Sequence, residues 1–338
     1  MMTADDSMRI VALEEHFVAP DLIRRIDPAV IARRGFPPPD AAWGPASRQD
    51  ELADLGPARL HDMDASGITL QVLSVSGPGA DLLPPAEGIT LARALNDRLA
   101  AAVAAHPGRY AGFAHLPMPA PEAAADELER AVRDLGFHGA LINGLTDGRF
   151  LDDAAFAPIL ARAETLDVPL YLHPGIPPAA VRGAYYEGLP DRLGFLLAIA
   201  GWGWHAETAV HVLRLVLSGT LDRHPRLHLI IGHMGEGLPA MLARCDDVLG
   251  GPATGVLRRP VSATILDQVS ITTSGFFTLP PFLAALTTFG ADRILFSVDY
   301  PFSTNRRARA FLDNLPVAPA DRAKIAHGNA DRLLKLRA

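Results

Sequence analysis

The 338-residue sequence predicts an α/β fold, a closed (β/α)8 barrel with insertions after strands one and five, spanning 1–338 as a single domain. Two observations carry this expectation. Short apolar, β-branched runs alternate with helical patterns along the whole chain, as in repeated βα units. No Gly-rich phosphate turn follows the first or second run, although an open doubly wound sheet would want one there.

Residues 10–13 form the first apolar strand and run into Glu14-Glu15-His16-Phe17. Residues 19–57 are rich in proline and charge, lack a sustained period and make a long excursion with short helices. A short helix at 59–66, stopped by Gly67, precedes strand two at 68–74. The helix at 90–106 carries Leu91, Ala94, Leu95, Leu99 and Val103 on one stripe and ends at Pro107-Gly108. Strand three is 110–116. The helix at 120–135, with Pro121 in its first turn and Gly136 beyond its end, leads to strand four at 138–143. A helix at 154–166 comes before strand five, 168–173, which closes in His173-Pro174-Gly175.

The second excursion, 176–204, holds Tyr185, Tyr186, Phe195, Trp202 and Trp204, and Trp43 sits in the first. Helix 207–218, strand six at 227–233, helix 239–249 and strand seven at 268–274 follow. Helix 280–289 and strand eight at 293–298 complete the alternation, and closing helices are expected at 306–314 and 320–336.

At 49% hydrophobic residues the chain can bury a sizeable core, and a net charge of −7 argues against nucleic acid or an anionic membrane as partner. Its single cysteine, Cys245, excludes an internal disulfide and points to the cytoplasm. No basic-then-apolar leader and no run of membrane-spanning length are present.

Chemistry-bearing residues collect at the strand ends. Glu14 and His16 close strand one, two residues apart, so in an extended chain both face one object while Glu15 points away. His173 closes strand five, His233 strand six and Asp299 strand eight. In a barrel all of these stand on the C-terminal face. Singly, each has an ordinary reading as a strand cap, a turn residue or a satisfied core histidine. Together they form a mixed oxygen and nitrogen site suited to a divalent transition metal.

Four stretches carry a family resemblance: Val-Ala-Leu-Glu-Glu-His-Phe at 11–17, His-Pro-Gly at 173–175, Gly-His-Met-Gly-Glu-Gly-Leu-Pro at 232–239 and Phe-Ser-Val-Asp-Tyr-Pro-Phe at 296–302. They resemble the metal-dependent decarboxylases of the amidohydrolase superfamily, the aminocarboxymuconate semialdehyde decarboxylase-like family, and within it the γ-resorcylate (2,6-dihydroxybenzoate) branch. The resemblance implies that Glu14, His16, His173 and Asp299 hold one divalent ion, Mn²⁺ or Zn²⁺. It also implies that His233 stands beside the ion with Glu236 as its orienting partner. Strand four ends in Leu141-Ile142-Asn143-Gly144, so there is no lysine to bridge a second metal. An asparagine that reads a ring hydroxyl in the γ-resorcylate branch is absent from Cys245-Asp246-Asp247-Val248-Leu249, and Ala243 replaces a tryptophan beside Arg244.

The expected activity is reversible, non-oxidative decarboxylation of an ortho-hydroxybenzoate, with no organic cofactor. Asp299 is the expected proton carrier, with His233 as its support. Phe17, Trp202, Trp204, Arg244 and Phe302 are the expected substrate contacts. The competing expectation is a superfamily hydrolase or hydratase acting on a lactone or unsaturated acid. A barrel that binds a metal or an aromatic ligand without turnover is a third. The family further suggests a homodimer or homotetramer.

Overall fold

The structure is a computed structural model that describes residues 8–37 and 47–336. Trp43 lies outside the described residues. Eight parallel strands appear in the expected order: β1 (Val11–Phe17), β2 (Leu70–Val75), β3 (Tyr110–Gly112), β4 (Ala140–Asn143), β5 (Leu170–His173), β6 (Leu229–Ile231), β7 (Val269–Thr272) and β8 (Ile294–Leu295). Most are shorter than their apolar runs: β2, β4 and β5 begin two residues late, and β3, β6, β7 and β8 leave the ladder before the run ends.

Hydrogen bonds group the strands as β1-β2-β3 and β4-β5-β6-β7-β8. Two seams join these sheets into a (β/α)8 barrel. At one, Ala114 bridges Ala140, and the Ala114 N–H donates to Gly139 O at 2.9 Å. At the other, beyond β8, the His16 N–H donates to Tyr300 O at 2.9 Å and the Glu14 N–H to Ser297 Oγ at 2.8 Å.

The barrel interior is filled by Val11, Leu13, Val72, Phe113, Leu141, Tyr171, Ile230 and Leu295, with Ala330 and Leu334 of the closing segment packed beneath. A second, larger apolar layer lies between strands and helices, and includes Ile10, Ala12 and Phe17. The β1–β2 register shifts between Ala12 and Glu15. This irregularity lets the consecutive residues Leu13 and Glu14 both turn inward, one into apolar packing and the other onto the site.

Helix limits differ from expectation in instructive places. Pro85 at the first position starts the helix Pro85–Ala105 earlier than the stripe alone suggests. Helix Val261–Gln268, absent from the sequence expectation, precedes β7. The last helix is divided into Pro319–Ala323, a π-helical turn Lys324–Gly328 and Asn329–Leu333. Helix Gly203–Leu217 begins four residues before the predicted 207, a shift that matters for the site. Among the described residues no helix is long and apolar enough to cross a membrane.

Candidate metal centre

Strand ends bring Glu14, His16 and His173 together, with ligand atoms mutually within 4.8 Å. Asp299 joins them, its Oδ1 3.3 Å from His16 Nε2. His233 stands alongside, Nε2 3.6 Å from Glu14 Oε1 and 4.0 Å from Asp299 Oδ2. His233 and Asp299 have left-handed backbones, φ 52° and 69°. That conformation is uncommon for residues other than glycine and recurs where a side chain is aimed at a site. Gly232, just before His233, leaves room for Glu14: a Cβ there would lie 2.6 Å from Oε2.

Hydrogen bonding around Glu14 is one-sided. Its Oε2 accepts from the Tyr171 and Ser274 hydroxyls, whereas Oε1 is buried with no hydrogen-bond partner among the described residues. Both His16 ring nitrogens are likewise buried and unpartnered. His173 Nδ1 donates to Pro174 O at 2.8 Å, which orients Nε2 toward Glu14 Oε1 at 3.3 Å. That carboxylate oxygen and that ring nitrogen, beside two imidazole nitrogens with no hydrogen-bond partner among the described residues, make a donor set for a cation. Carboxylate and imidazole donors without thiolate fit a divalent transition ion.

Electrostatics agree with the geometry. Burial pushes the Glu14 carboxyl up, but His233 above all, with His173 Nε2 beside it, outweighs burial and holds Glu14 well below the usual carboxylate range. Burial lowers His16 to about 4, so it is a neutral imidazole. Asp299 is raised, by burial first and by the Glu14 charge second. Burial disfavours a charged His233, yet Glu236 and Glu14 overcome this and bring it to about 10. Glu236 Oε1 accepts from His233 Nδ1 at 2.8 Å, and its Oε2 accepts from His205 Nδ1 at 2.5 Å. His205 escaped the sequence reading because it lies in the first turn of the helix that begins early.

The centre opens into a cavity of about 390 Å³ whose wall includes Phe36, Phe195, Trp204, Phe276 and Phe302. Trp204 and Phe302 stand where the sequence reading wanted ring contacts, 6.2 Å from the His173 ring and 5.7 Å from the His16 ring. Three other expected contacts do not reach it. Phe17 is fully buried in the outer apolar layer, because it follows His16 and so points to the opposite face of β1. Trp202 is 62% exposed, because it precedes helix Gly203–Leu217 and turns to solvent. Arg244 is exposed on helix Leu242–Ala253, whose buried residue is Leu242, two positions earlier and so on another face. Arg34, Asp81 and Asn143 line the cavity without having been expected to. Asn143 carried a legible signal, a polar residue closing an apolar strand as His173 does.

A barrel with a mixed carboxylate and imidazole cluster at the C-terminal ends of its strands defines a divalent-metal enzyme. Residues 15–336 match the amidohydrolase family model. A γ-resorcylate decarboxylase from Rhizobium radiobacter is 43% identical, covering 96% of this chain and 98% of its own. A crystal structure of 2,6-dihydroxybenzoate decarboxylase complexed with 2,6-dihydroxybenzoate is 40% identical, covers 97% of this chain and 100% of its own, and superposes with a TM-score of 0.84. A dihydroxybenzoic acid decarboxylase from Polaromonas, with bound manganese and the inhibitor 2-nitroresorcinol, is 37% identical over 98% of each chain, TM-score 0.86. The chain belongs to the amidohydrolase family, among its metal-dependent decarboxylases of aromatic acids.

Proposed function

We propose that this protein decarboxylates an ortho-hydroxybenzoate to the corresponding phenol and catalyses the reverse carboxylation in concentrated bicarbonate. The observation that carries the reading is the orphaned donor set, Glu14 Oε1 and both His16 nitrogens, at one end of a cavity walled by aromatic rings. Glu14, His16, His173 and Asp299 would hold one Mn²⁺ or Zn²⁺ ion. When bound, that ion supplies Lewis acidity and a chelating partner for adjacent carboxylate and phenolate oxygens.

The chain's own groups supply the rest. Trp204 and Phe302 flank the ring and keep water from it. The Asp299 carboxyl, within 4.0 Å of His233 Nε2, delivers a proton to the ring carbon that bears the carboxylate. The ring becomes a dienone, the carbon–carbon bond breaks, its electron pair restores aromaticity and CO₂ leaves. His233, protonated against Glu236, returns a proton to Asp299. No redox partner enters the balance, so the same groups serve both directions. We also infer a single-domain cytoplasmic protein, working as a homodimer or homotetramer.

The test is to incubate Mn²⁺-loaded and Zn²⁺-loaded protein with salicylate, the dihydroxybenzoates and 5-carboxyvanillate, following the phenol by chromatography. Phenol formation from an ortho-hydroxy acid is expected. Turnover of lactones or unsaturated diacids alone would overturn the reading in favour of a hydrolase.

A further inference from the structure

One charged side chain in the cavity wall has no role in the chemistry above. Asp81 lies on the short helical turn Ala80–Leu82, in the loop after β2, and lines the cavity. Among the described residues its Oδ1 is buried with no hydrogen-bond partner. Among the described residues the only basic group within ion-pair distance is His115, whose Nε2 is 3.8 Å away. That nitrogen already accepts the Ala80 N–H at 2.9 Å, so it presents a lone pair and no proton to Asp81. Among the described residues, this cavity-lining side chain thus has an acceptor oxygen with no donor. Leaving such a group dry and unpaired is costly, and the cost disappears when a ligand brings the donor.

Among the described residues Asp81 also makes no hydrogen bond or ion pair with Glu14, His16, His173 or Asp299. Its charge repels the carboxylate of an aromatic acid, so Asp81 is matched to a part of the ring other than the one that carries the acid.

We propose that Asp81 accepts a hydrogen bond from a second ring substituent, a hydroxyl or amino group, and selects aromatic acids that carry it. This rests on the decarboxylase reading and narrows its substrate class to donor-substituted salicylates. A hydrogen bond to a charged acceptor in a cavity distinguishes a donor from its methylated counterpart by roughly 10–100-fold.

The experiment compares wild type, Asp81→Asn and Asp81→Leu, all metal-loaded, on hydroxy-, amino- and methoxy-substituted salicylates at each ring position. Calorimetric titration with the matching dihydric phenols, aminophenols and methoxyphenols gives a second readout that needs no turnover. Wild type should prefer one donor-bearing acid over its methoxy partner by roughly 10–100-fold in kcat/KM. The ratio should fall toward one in Asp81→Leu and be partly retained in Asp81→Asn, and the phenol affinities should follow. The hydroxyl and amino arms identify which donor is read. An unchanged ratio in Asp81→Leu, or equal loss on donor and methoxy acids, would overturn the inference. If no acid turns over while the phenol ratios collapse as described, the decarboxylase reading falls and the role of Asp81 stands.

Discussion

Glu14 and Glu15 are consecutive in β1 and both fully buried, yet their surroundings differ in kind. Glu15 points outward into a layer prepared for it. Its Oε1 accepts the Val298 N–H at 2.8 Å and the Ser297 hydroxyl at 3.3 Å, and its Oε2 accepts Gln71 Nε2 at 3.3 Å. Arg59, itself buried, donates to Gln71 Oε1 and to His16 O at 2.8 Å each. Glu14 points inward and keeps one oxygen unpaired among imidazoles. The outward carboxylate ties β1 to the end of β8. The inward one waits for a cation. Burial is the same on both sides, so what separates structure from chemistry here is whether the polar atoms are satisfied.

Paired substitutions put this contrast to its strongest test. Glu14→Gln should strip the protein of metal, with a loss in kcat/KM larger than the roughly 10–100-fold that outer partners of metal sites cost. Glu15→Gln keeps the Val298 contact and should retain near-stoichiometric metal, with kcat/KM within about tenfold of wild type. Metal analysis by mass spectrometry reads both. Equal metal loss in the two variants would break the distinction.

His233 sharpens it further, since it lies beside the unpaired atoms but is itself paired with Glu236. His233→Asn should hold its metal while kcat falls by about 10²–10⁴-fold, as loss of a proton-transfer group predicts. Loss of metal along with activity would make it a ligand.

The strand ends were legible because period-two alternation and apolar runs are local properties of a chain. Glu14, His16, His173, His233 and Asp299 all follow from them. Phe17 was also within reach of that rule: if His16 faces inward, its neighbour faces out. Trp202, Trp204 and His205 were not, because their directions depend on where helix Gly203–Leu217 begins, and no capping residue marks that start. The Ala12–Glu15 register shift has no sequence signature, nor does Asp81, whose meaning lies in what surrounds it.

A satisfied histidine away from the centre extends the contrast from activity to stability. His211 is 2% exposed, and its Nε2 accepts the Leu151 N–H at 2.9 Å. Burial lowers it from 6.5 to about 4. Between those values the unfolded chain binds the extra proton, so stability is fully present above about pH 6.5 and is lost as the pH falls toward 4. His211→Gln should lower the Tm at pH 7. At pH 5 the gap between variant and wild type should narrow by about 2 kcal/mol or less, because the variant has no imidazole to protonate. A constant gap across that range would show that His211 is not held neutral.

The smallest expected effect separates the two tryptophans on either side of the helix start. Trp204 lines the cavity and meets the His173 ring edge-on, while Trp202 is 62% exposed. An exposed ring that touches no reacting group contributes little to binding, however suggestive its place in the sequence. Trp202→Ala should therefore leave KM and kcat within about twofold, in keeping with the small effects of surface substitutions. Trp204→Ala removes a wall of the cavity and should raise KM by roughly tenfold, the scale of a buried aromatic contact. Steady-state kinetics on whichever hydroxybenzoate turns over fastest decides between them. If Trp202→Ala proved the more damaging, the ring would have to meet substrate in the working enzyme, and the helix start could not be what sorts the two.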